Sequence, residues 1–266
     1  MKHYGLIGEK LGHSLSEPIH RAIFRELGLD ADYRIIEIPK GDFIPRTKEL
    51  LSSLDGFNIT IPYKQDVMPL LDHIDPAAAE IGAVNTVLCG TSTGYNTDAA
   101  GFMGMLRHYG IDPRGRHCFI LGSGGTAKTV RACLGMMGAA TVTVVSRHPE
   151  GEGQISYGEF YEVFPQTGGI IVNASSAGMW PRKDIDNICA IHPSRVDEMM
   201  RYAQGVADVV YNPPHTFLTK AAERAGVPRC TGLYMLVAQA VEAEKLWQGR
   251  EIPDELILKI MQEVQL

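Results

Sequence analysis

Lys64 and Asp98 are the residues of this 266-residue chain whose types and settings suit proton transfer. The string GFNITIPYK runs an apolar strand into Pro62 and delivers Lys64 just beyond it. TGYNTDAAGF sets Asn96, Thr97 and Asp98 at a turn entering a helix. A carbonyl that accepts hydride gains negative charge on its oxygen and must collect a proton. A lysine can donate it while a neighbouring carboxylate orients the ammonium, an arrangement worth on the order of 10² to 10⁴ in rate. The plainer readings are an exposed lysine and an aspartate that caps its helix. Two more strings put polar groups at strand ends, where open α/β sheets bind ligands. In GHSLSEPIH, Ser14 and Ser16 precede a helix, where hydroxyls beside free N–H groups suit a carboxylate; Ser16 equally suits an ordinary N-cap. GAVNTV sets Asn85 inside an apolar strand, a costly place for an amide without partners. Alternation in the NITI run sends Ile59 and Ile61 to one side and Asn58 and Thr60 to the other.

A second kind of site lies further on. Residues 117–127 read HCFILGSGGTA: a buried strand runs into Gly122, Gly124 and Ala127 at G-x-G-x-x-A spacing, and a helix opens at once. The glycines permit a tight turn and let a pyrophosphate approach the backbone, and the helix N-terminus offers unpaired N–H groups. Glycine-rich turns are common, but here strand, turn, helix and second strand follow in the order a dinucleotide unit needs. An NAD site usually carries an acid at the end of that second strand. This chain has Ser146, Arg147 and His148, with no acid before Glu150. The planar fork of Arg147 suits a 2′-phosphate, which favours NADP; the alternative is an arginine on a solvated loop. No HExxH or comparable ligand spacing occurs, and His13, His20 and His215 read as polar-surface or supporting groups rather than metal ligands.

These residues need a scaffold of alternating strands and helices. Tyr4–Ile7, Tyr33–Ile38, Phe57–Ile61 and Ala83–Leu88 read as strands. Ile19, Ala22, Ile23 and Leu27 space a helix that Ser16 can start and Gly28 can end; Lys64–Leu71 and Asp98–Tyr109 also read as helices. After a break at GIDPRGR (110–116) come strands at 117–121, 141–146, 169–174 and 205–211. Helices are expected at Thr126–Met137, Leu233–Trp247 and Pro253–Val264. Such alternation implies parallel sheets in an α/β fold, and the length suits about two domains. Net charge −6 disfavours a broad grip on nucleic acid or anionic lipid. Five widely spaced cysteines without a CxxC pair suit a reducing cytoplasm. No apolar stretch long enough for a signal or a membrane span is visible.

Eight segments in this order resemble shikimate dehydrogenase along nearly the whole chain: HSLS (13–16), NITIPYK (58–64), GAVNT (82–86), NTDAAGF (96–102), GSGGTA (122–127), NASSAGM (173–179), DVVYNPPHT (208–216) and GLYMLVAQA (232–240). The resemblance implies NADPH-dependent, reversible reduction of 3-dehydroshikimate to shikimate in aromatic amino-acid biosynthesis. It implies a substrate domain formed by residues 1–100 and 233–266, and a Rossmann-like NADP domain at 101–232. The last helices would return to the first domain and leave a cleft that closes over both ligands. Residue by residue, it implies Lys64 and Asp98 as the catalytic pair. Ser14, Ser16 and Tyr211 would serve the substrate carboxylate, and Thr60, Asn85 and Gln239 the ring hydroxyls. Gly122, Ser123, Gly124, Gly125 and Thr126 would form the pyrophosphate loop, with Ser146 and Arg147 at the adenosine phosphate. Val209, Gly232 and Met235 would line the nicotinamide pocket, where Met179 serves either as a contact or as core packing. Against the commoner pattern, Glu17 separates Ser16 from Pro18, Ser123 stands for Ala, Ser146 for Asn, and residues 175–177 read SSA.

The partner expected is a small-molecule substrate, with the chain a monomer or homodimer; its apolar C-terminal helices either form an interface or cover a sheet. The nearest rival activity is a quinate/shikimate dehydrogenase with relaxed substrate or NAD use. A non-catalytic shikimate sensor would lack Lys64 or Asp98, and both are present. A folate-linked dehydrogenase fits the paired serines and the DVVYNP string poorly.

Overall fold

In a computed structural model of the chain, which describes residues 1–12, 14–180 and 188–264, the alternation resolves into two units. One comprises Met1–Gly101 with Val237–Leu266, the other Phe102–Leu236. His13 lies outside the described residues.

The first unit begins β1 (Lys2–Gly8), α1 (Ser16–Leu27), β2 (Ala31–Glu37), α2 (Phe43–Ser53) and β3 (Gly56–Ile59). It continues with β4 (His73–Ile74), α3 (Pro76–Ile81), β5 (Thr86–Leu88), β6 (Thr93–Tyr95) and the start of α4 (Thr97–His108). The strand order is β2-β1-β3-β5-β6-β4. β1 runs parallel to both β2 and β3, but β5 is antiparallel to β3 and to β6, so this sheet is mixed rather than purely parallel. Length accounts for the β5–β6 pairing: the few residues between Leu88 and Thr93 can turn a chain back but cannot carry a crossover. Alternation along β1 puts Tyr4 and Leu6 in one core with Phe24 and Trp247, and Ile7 in another with Phe43, Phe57 and Ile59.

Three local expectations need correction. The Lys64–Leu71 segment forms turns and a short 3-10 turn at Met68–Leu70 instead of an α-helix, since Pro69 falls inside it and cannot donate a helical hydrogen bond. Strand β3 stops at Ile59, ahead of a cis Ile61–Pro62 bond, so the alternation does not reach Ile61, which is exposed while Ile59 is buried. Asn85 precedes β5 instead of lying within a strand.

The second unit takes in the rest of α4, then β7 (His117–Leu121), α5 (Gly125–Met136), β8 (Thr141–Ser146), β9 (Gln154–Ser156), α6 (Tyr157–Thr167) and β10 (Gly169–Asn173). It goes on with α7 (Pro193–Met200), β11 (Ala203–Asp208), α8 (Phe217–Arg224), β12 (Arg229–Thr231) and the start of α9 (Leu233–Gln248). All six strands are parallel in the order β12-β11-β10-β7-β8-β9. The direction of winding reverses between β7 and β10, the switch point at which such sheets open a crevice. Phe119, Phe160, Phe164, Val145 and Ile171 fill one face.

The remainder of α9 and α10 (Glu255–Glu263) belong to the first unit. The Trp247 indole N–H donates to Val87 O at 2.9 Å and the ring stacks on Tyr4 at 4.5 Å. The apolar face of this part of α9 therefore covers the sheet. Gly56 sits so close beneath the indole that a Cβ there would lie 2.3 Å from Trp247 Nε1.

Candidate active site

The segment after β3 is built to deliver Lys64. Tyr63 is buried, stacks on Phe43 at 4.0 Å and donates its hydroxyl to Ile38 O, which pins the chain just after the cis Ile61–Pro62 bond. Lys64 O accepts from Val84 N at 2.9 Å. From this anchored backbone Lys64 Nζ reaches Asp98 Oδ2 at 2.6 Å, with the two side chains 27% and 18% exposed. Asp98 is not the helix cap. Asn96 Oδ1 accepts from Ala99 N at 3.1 Å and does the capping, which leaves the Asp98 carboxylate in the first turn of α4 free to pair. A partly buried ammonium held in this way can give a proton to an adjacent oxyanion and recover one from water.

Other candidate residues of the first unit gather at the ends of β1 and β3, neighbours at that sheet's own switch point. Ser14 and Ser16 follow β1. Ser16 is the first residue of α1 and not its cap; its N–H donates to Ser14 Oγ at 3.2 Å and the two hydroxyls bond at 3.1 Å. Thr60 follows β3 and its N–H donates to Ile7 O at 2.9 Å. Asn85 is buried, with Oδ1 accepting from Thr97 N at 2.7 Å and Nδ2 donating to Thr97 Oγ1 at 3.0 Å. This assigns the amide: its oxygen is engaged and one N–H remains to offer a ligand. Gln239 is buried on α9.

The first unit also holds a buried polar pair that the sequence reading missed. His20 Nδ1 lies 2.7 Å from Glu244 Oε1, both side chains fully buried, and Gln248 Nε2 donates to Glu244 Oε2 at 3.0 Å. His20 is thus a supporting group rather than a surface one, and its Nε2 has no hydrogen-bond partner.

In the second unit a cavity of about 770 Å³ opens at the C-terminal ends of β7, β8 and β10, lined by Gly122, Ser123, Gly124, Ser146 and Arg147 among others. Gly122 has φ +106°, and a Cβ there would lie 2.9 Å from Ser175 Cβ, so both the turn and its neighbour require glycine. At Gly124 and Gly125 a Cβ would meet nothing within 4 Å, and no side chain caps the N-terminus of α5. These features fit the phosphates of a dinucleotide. Thr126 stands in the same first turn. The two serines that depart from the family's commoner pattern meet here, Ser123 Oγ to Ser146 Oγ at 3.3 Å, and Ser146 Oγ further accepts from His148 N at 3.2 Å. Arg147 is exposed at the cavity wall, free to meet a phosphate.

Val209, Tyr211, Gly232 and Met235 also belong to the second unit. Val209 N donates to Asn173 O at 3.0 Å, and Gly232 comes so near that a Cβ would lie 2.0 Å from Val209 O. Met235 is buried and Tyr211 partly so, with burial raising the Tyr211 phenol pKa; Met179 is 37% exposed, which sets core packing aside for it. A second missed residue, the fully buried Asp208, organises this region. Its Oδ1 accepts from Asn173 Nδ2 at 2.9 Å and from Val210 N at 3.0 Å, and its Oδ2 accepts from Thr216 Oγ1 at 2.7 Å. The signal was present: an acid inside the apolar run GVADVVY needs partners as much as Asn85 does.

Comparison with known proteins gives these arrangements a context. Residues 6–87 match the model of the shikimate dehydrogenase substrate binding domain. The NADP(+) shikimate dehydrogenase of Clostridium beijerinckii is 36% identical, the match covering 96% of this chain and 95% of that protein. The crystal structure of a chorismate mutase/shikimate 5-dehydrogenase fusion protein from Clostridium acetobutylicum superposes with TM-score 0.90 at 35% identity, over 100% of this chain and 97% of that one. A quinate dehydrogenase from Corynebacterium glutamicum in complex with NAD superposes with TM-score 0.85 at 27% identity, over 99% of each chain. Similarity of this degree along almost the full length, joined to the α/β architecture above, means that the chain belongs to the shikimate dehydrogenase family.

Proposed function

We propose that this chain catalyses the reversible, NADPH-dependent reduction of 3-dehydroshikimate to shikimate, a step of aromatic amino-acid biosynthesis. The observation that carries the reading is the 2.6 Å pair of Lys64 Nζ and Asp98 Oδ2 in a member of this family. When bound, the nicotinamide supplies hydride to the ring carbonyl carbon. The carbonyl oxygen then carries the negative charge, and Lys64 transfers a proton from Nζ to it. Asp98 keeps the ammonium aimed and compensates its charge, and Lys64, being partly exposed, regains a proton from solvent.

Substrate recognition follows from hydrogen-bond capacity. Ser14 and Ser16, with Tyr211, would hold the carboxylate. Asn85, with one N–H to spare, would donate to a ring hydroxyl, alongside Thr60 and Gln239. A polyhydroxylated ligand is selected by such groups because an analogue lacking a hydroxyl leaves one of them unpaired. Arg147 would pair with the adenosine 2′-phosphate, and Ser146, engaged by Ser123 and His148, would set the loop that presents it. Five widely spaced cysteines without a CxxC pair fit a cytoplasmic setting, and among the described residues no helix is long and apolar enough to cross a membrane.

Purified protein assayed by absorbance for nicotinamide reduction, with shikimate or quinate and NADP⁺ or NAD⁺ in turn, tests the reading. The expected ranking puts shikimate with NADP⁺ first by kcat/KM. Quinate with NAD⁺ in first place would transfer the chain to the activity of the structurally similar quinate dehydrogenase. No turnover with any pair would remove the proposal.

A further inference from the structure

Two tyrosines one turn apart on α6, Tyr157 and Tyr161, line the dinucleotide cavity, and the fold treats them differently. Tyr161 is engaged within the protein. Its hydroxyl accepts from His192 N at 2.9 Å, and the Arg195 guanidinium lies over its ring, 4.7 Å from the centroid. Tyr157 packs its half-buried ring against the same core, yet among the described residues its hydroxyl has no hydrogen-bond partner. Packing alone would be served by phenylalanine, which α6 uses at Phe160 and Phe164. A tyrosine hydroxyl ordinarily finds a partner when its ring is buried. Burial lifts the Tyr157 phenol to about 12, against the pull of the nearby Arg147 charge, so the hydroxyl stays protonated and able to donate.

Strand register brings Tyr157 to the side of Arg147. β8 and β9 run parallel with Ser146 opposite Ser156, so Arg147 and Tyr157 leave neighbouring strands at matching positions, about 5 Å apart, and both line the cavity. The end of α6 is not itself the attraction there, because Ser156 and Glu159 cap it reciprocally, with Glu159 N donating to Ser156 Oγ at 3.2 Å and Ser156 N to Glu159 Oε2 at 2.7 Å. A phosphate monoester carries close to two negative charges on three terminal oxygens. A guanidinium fork meets two of them. Other donors on this wall are already committed. Ser146 donates to His148 O at 3.1 Å, which makes Ser123 the donor in the 3.3 Å Ser123–Ser146 bond, and His192 Nδ1 is engaged with Ser194 Oγ at 2.8 Å. Glu150, an acid on the same wall, is exposed, so solvent screens its opposition to an anion.

We propose that Tyr157 is a specificity-determining residue for the cofactor: its hydroxyl donates to the 2′-phosphate that Arg147 would pair, and so adds to the preference for NADP⁺ over NAD⁺. The inference rests on the NADP reading of this cavity. NAD⁺ carries a neutral hydroxyl in place of that phosphate, so the same donor gains less from it.

The test is isothermal titration calorimetry of NADP⁺ and NAD⁺ into the full chain without substrate, for wild type and Tyr157→Phe. Phe keeps the ring and deletes only the hydroxyl. The expected Kd for NADP⁺ is about tenfold higher in Y157F, the size of one lost hydrogen bond to a charged group, while the Kd for NAD⁺ stays within about threefold. The melting temperature without cofactor should not change, because no hydrogen bond of the fold is removed. A Kd for NADP⁺ within about twofold of wild type overturns the inference. So does an equal rise for both cofactors, which would set Tyr157 against a part they share. A melting temperature lowered by several degrees also overturns it, since the hydroxyl would then have its partner inside the fold. Failure of the reading beneath it shows separately, as a wild-type chain that binds NAD⁺ at least as tightly as NADP⁺.

Discussion

Lys64 Nζ and Asp98 Oδ2 stand 2.6 Å apart although 34 residues separate them in the chain. One comes from a turn pinned by Tyr63, the other from the first turn of α4, whose capping is left to Asn96. This division of labour assigns each residue a consequence. Lys64→Met removes the proton donor while retaining the stem, and kcat should fall by about 10² to 10⁴ with KM for shikimate changed only a few-fold. Asp98→Asn keeps a hydrogen-bond acceptor without the charge, and its loss in kcat should be smaller. Near-normal turnover by K64M in a stopped-flow or steady-state assay would remove Lys64 from the acid role.

The wall of the dinucleotide cavity makes a prediction about cofactor choice. Arg147 follows Ser146, which is tied down by Ser123 and His148, so the arginine projects from a fixed point. A charge-assisted bond to a phosphate is worth about 1.5–3 kcal/mol. Arg147→Ala should therefore raise KM for NADP⁺ by about 10- to 100-fold and leave KM for NAD⁺ nearly unaltered. Parallel titrations of the two cofactors at fixed shikimate measure this, and an equal rise for both would show that Arg147 contacts something common to them.

Much of this architecture is legible in the sequence, and the misses share a cause. β7 and β8 can be read off as HCFIL and TVTVVS because each is a short β-rich run closed by glycine or charge, and the structure sets them at 117–121 and 141–146. Lys64 and Asp98 stand out because each follows a strand at a position where a side chain has no packing duty. The helix expected at Lys64–Leu71 fails because apolar spacing there serves Val67 as a core residue within a turn. His20 reads as a polar-surface or supporting group, and no local pattern reports that it meets Glu244 across 224 residues. Polar groups whose partners are distant in sequence look like errors of burial until tertiary contacts are known. Asp208 belongs to the same class.

Gly122 offers a steric prediction. At φ +106°, with Ser175 Cβ 2.9 Å from where a methyl would sit, alanine meets both backbone strain and a contact with little room to give. Backbone strain of this kind costs about 1–3 kcal/mol. Gly122→Ala should lower the melting temperature and raise KM for NADP⁺, because relief requires the turn or the Asn173–Ala177 loop to move. Gly124→Ala, with nothing within 4 Å, should leave the melting temperature unchanged in the absence of cofactor. Equal melting temperatures for the two variants would contradict the steric argument.

Asp208 sets a pH dependence whose sign follows from its surroundings. Burial raises its carboxyl from the ordinary 3.8 to about 6, against the lowering effect of hydrogen bonds from Thr216, Val210 and Asn173. Between those values the folded chain holds a proton at Asp208 that the unfolded chain has released. The stability contributed by that proton is fully present below about pH 4 and is lost as pH rises through about 6, after which a buried anion remains. The difference is on the order of 3 kcal/mol. Asp208→Asn keeps Oδ1 for Asn173 Nδ2 and Val210 N, and the Thr216 hydroxyl can turn toward Thr219 Oγ1, 3.2 Å away, to receive the new N–H. Urea unfolding of wild type and D208N from pH 4 to 8 should show wild type losing stability relative to the variant as pH rises to about 6, and a constant gap above that. A difference curve that is flat over this range, or that slopes the other way, would mean that Asp208 is already ionised at pH 4 and that its three donors outweigh its burial.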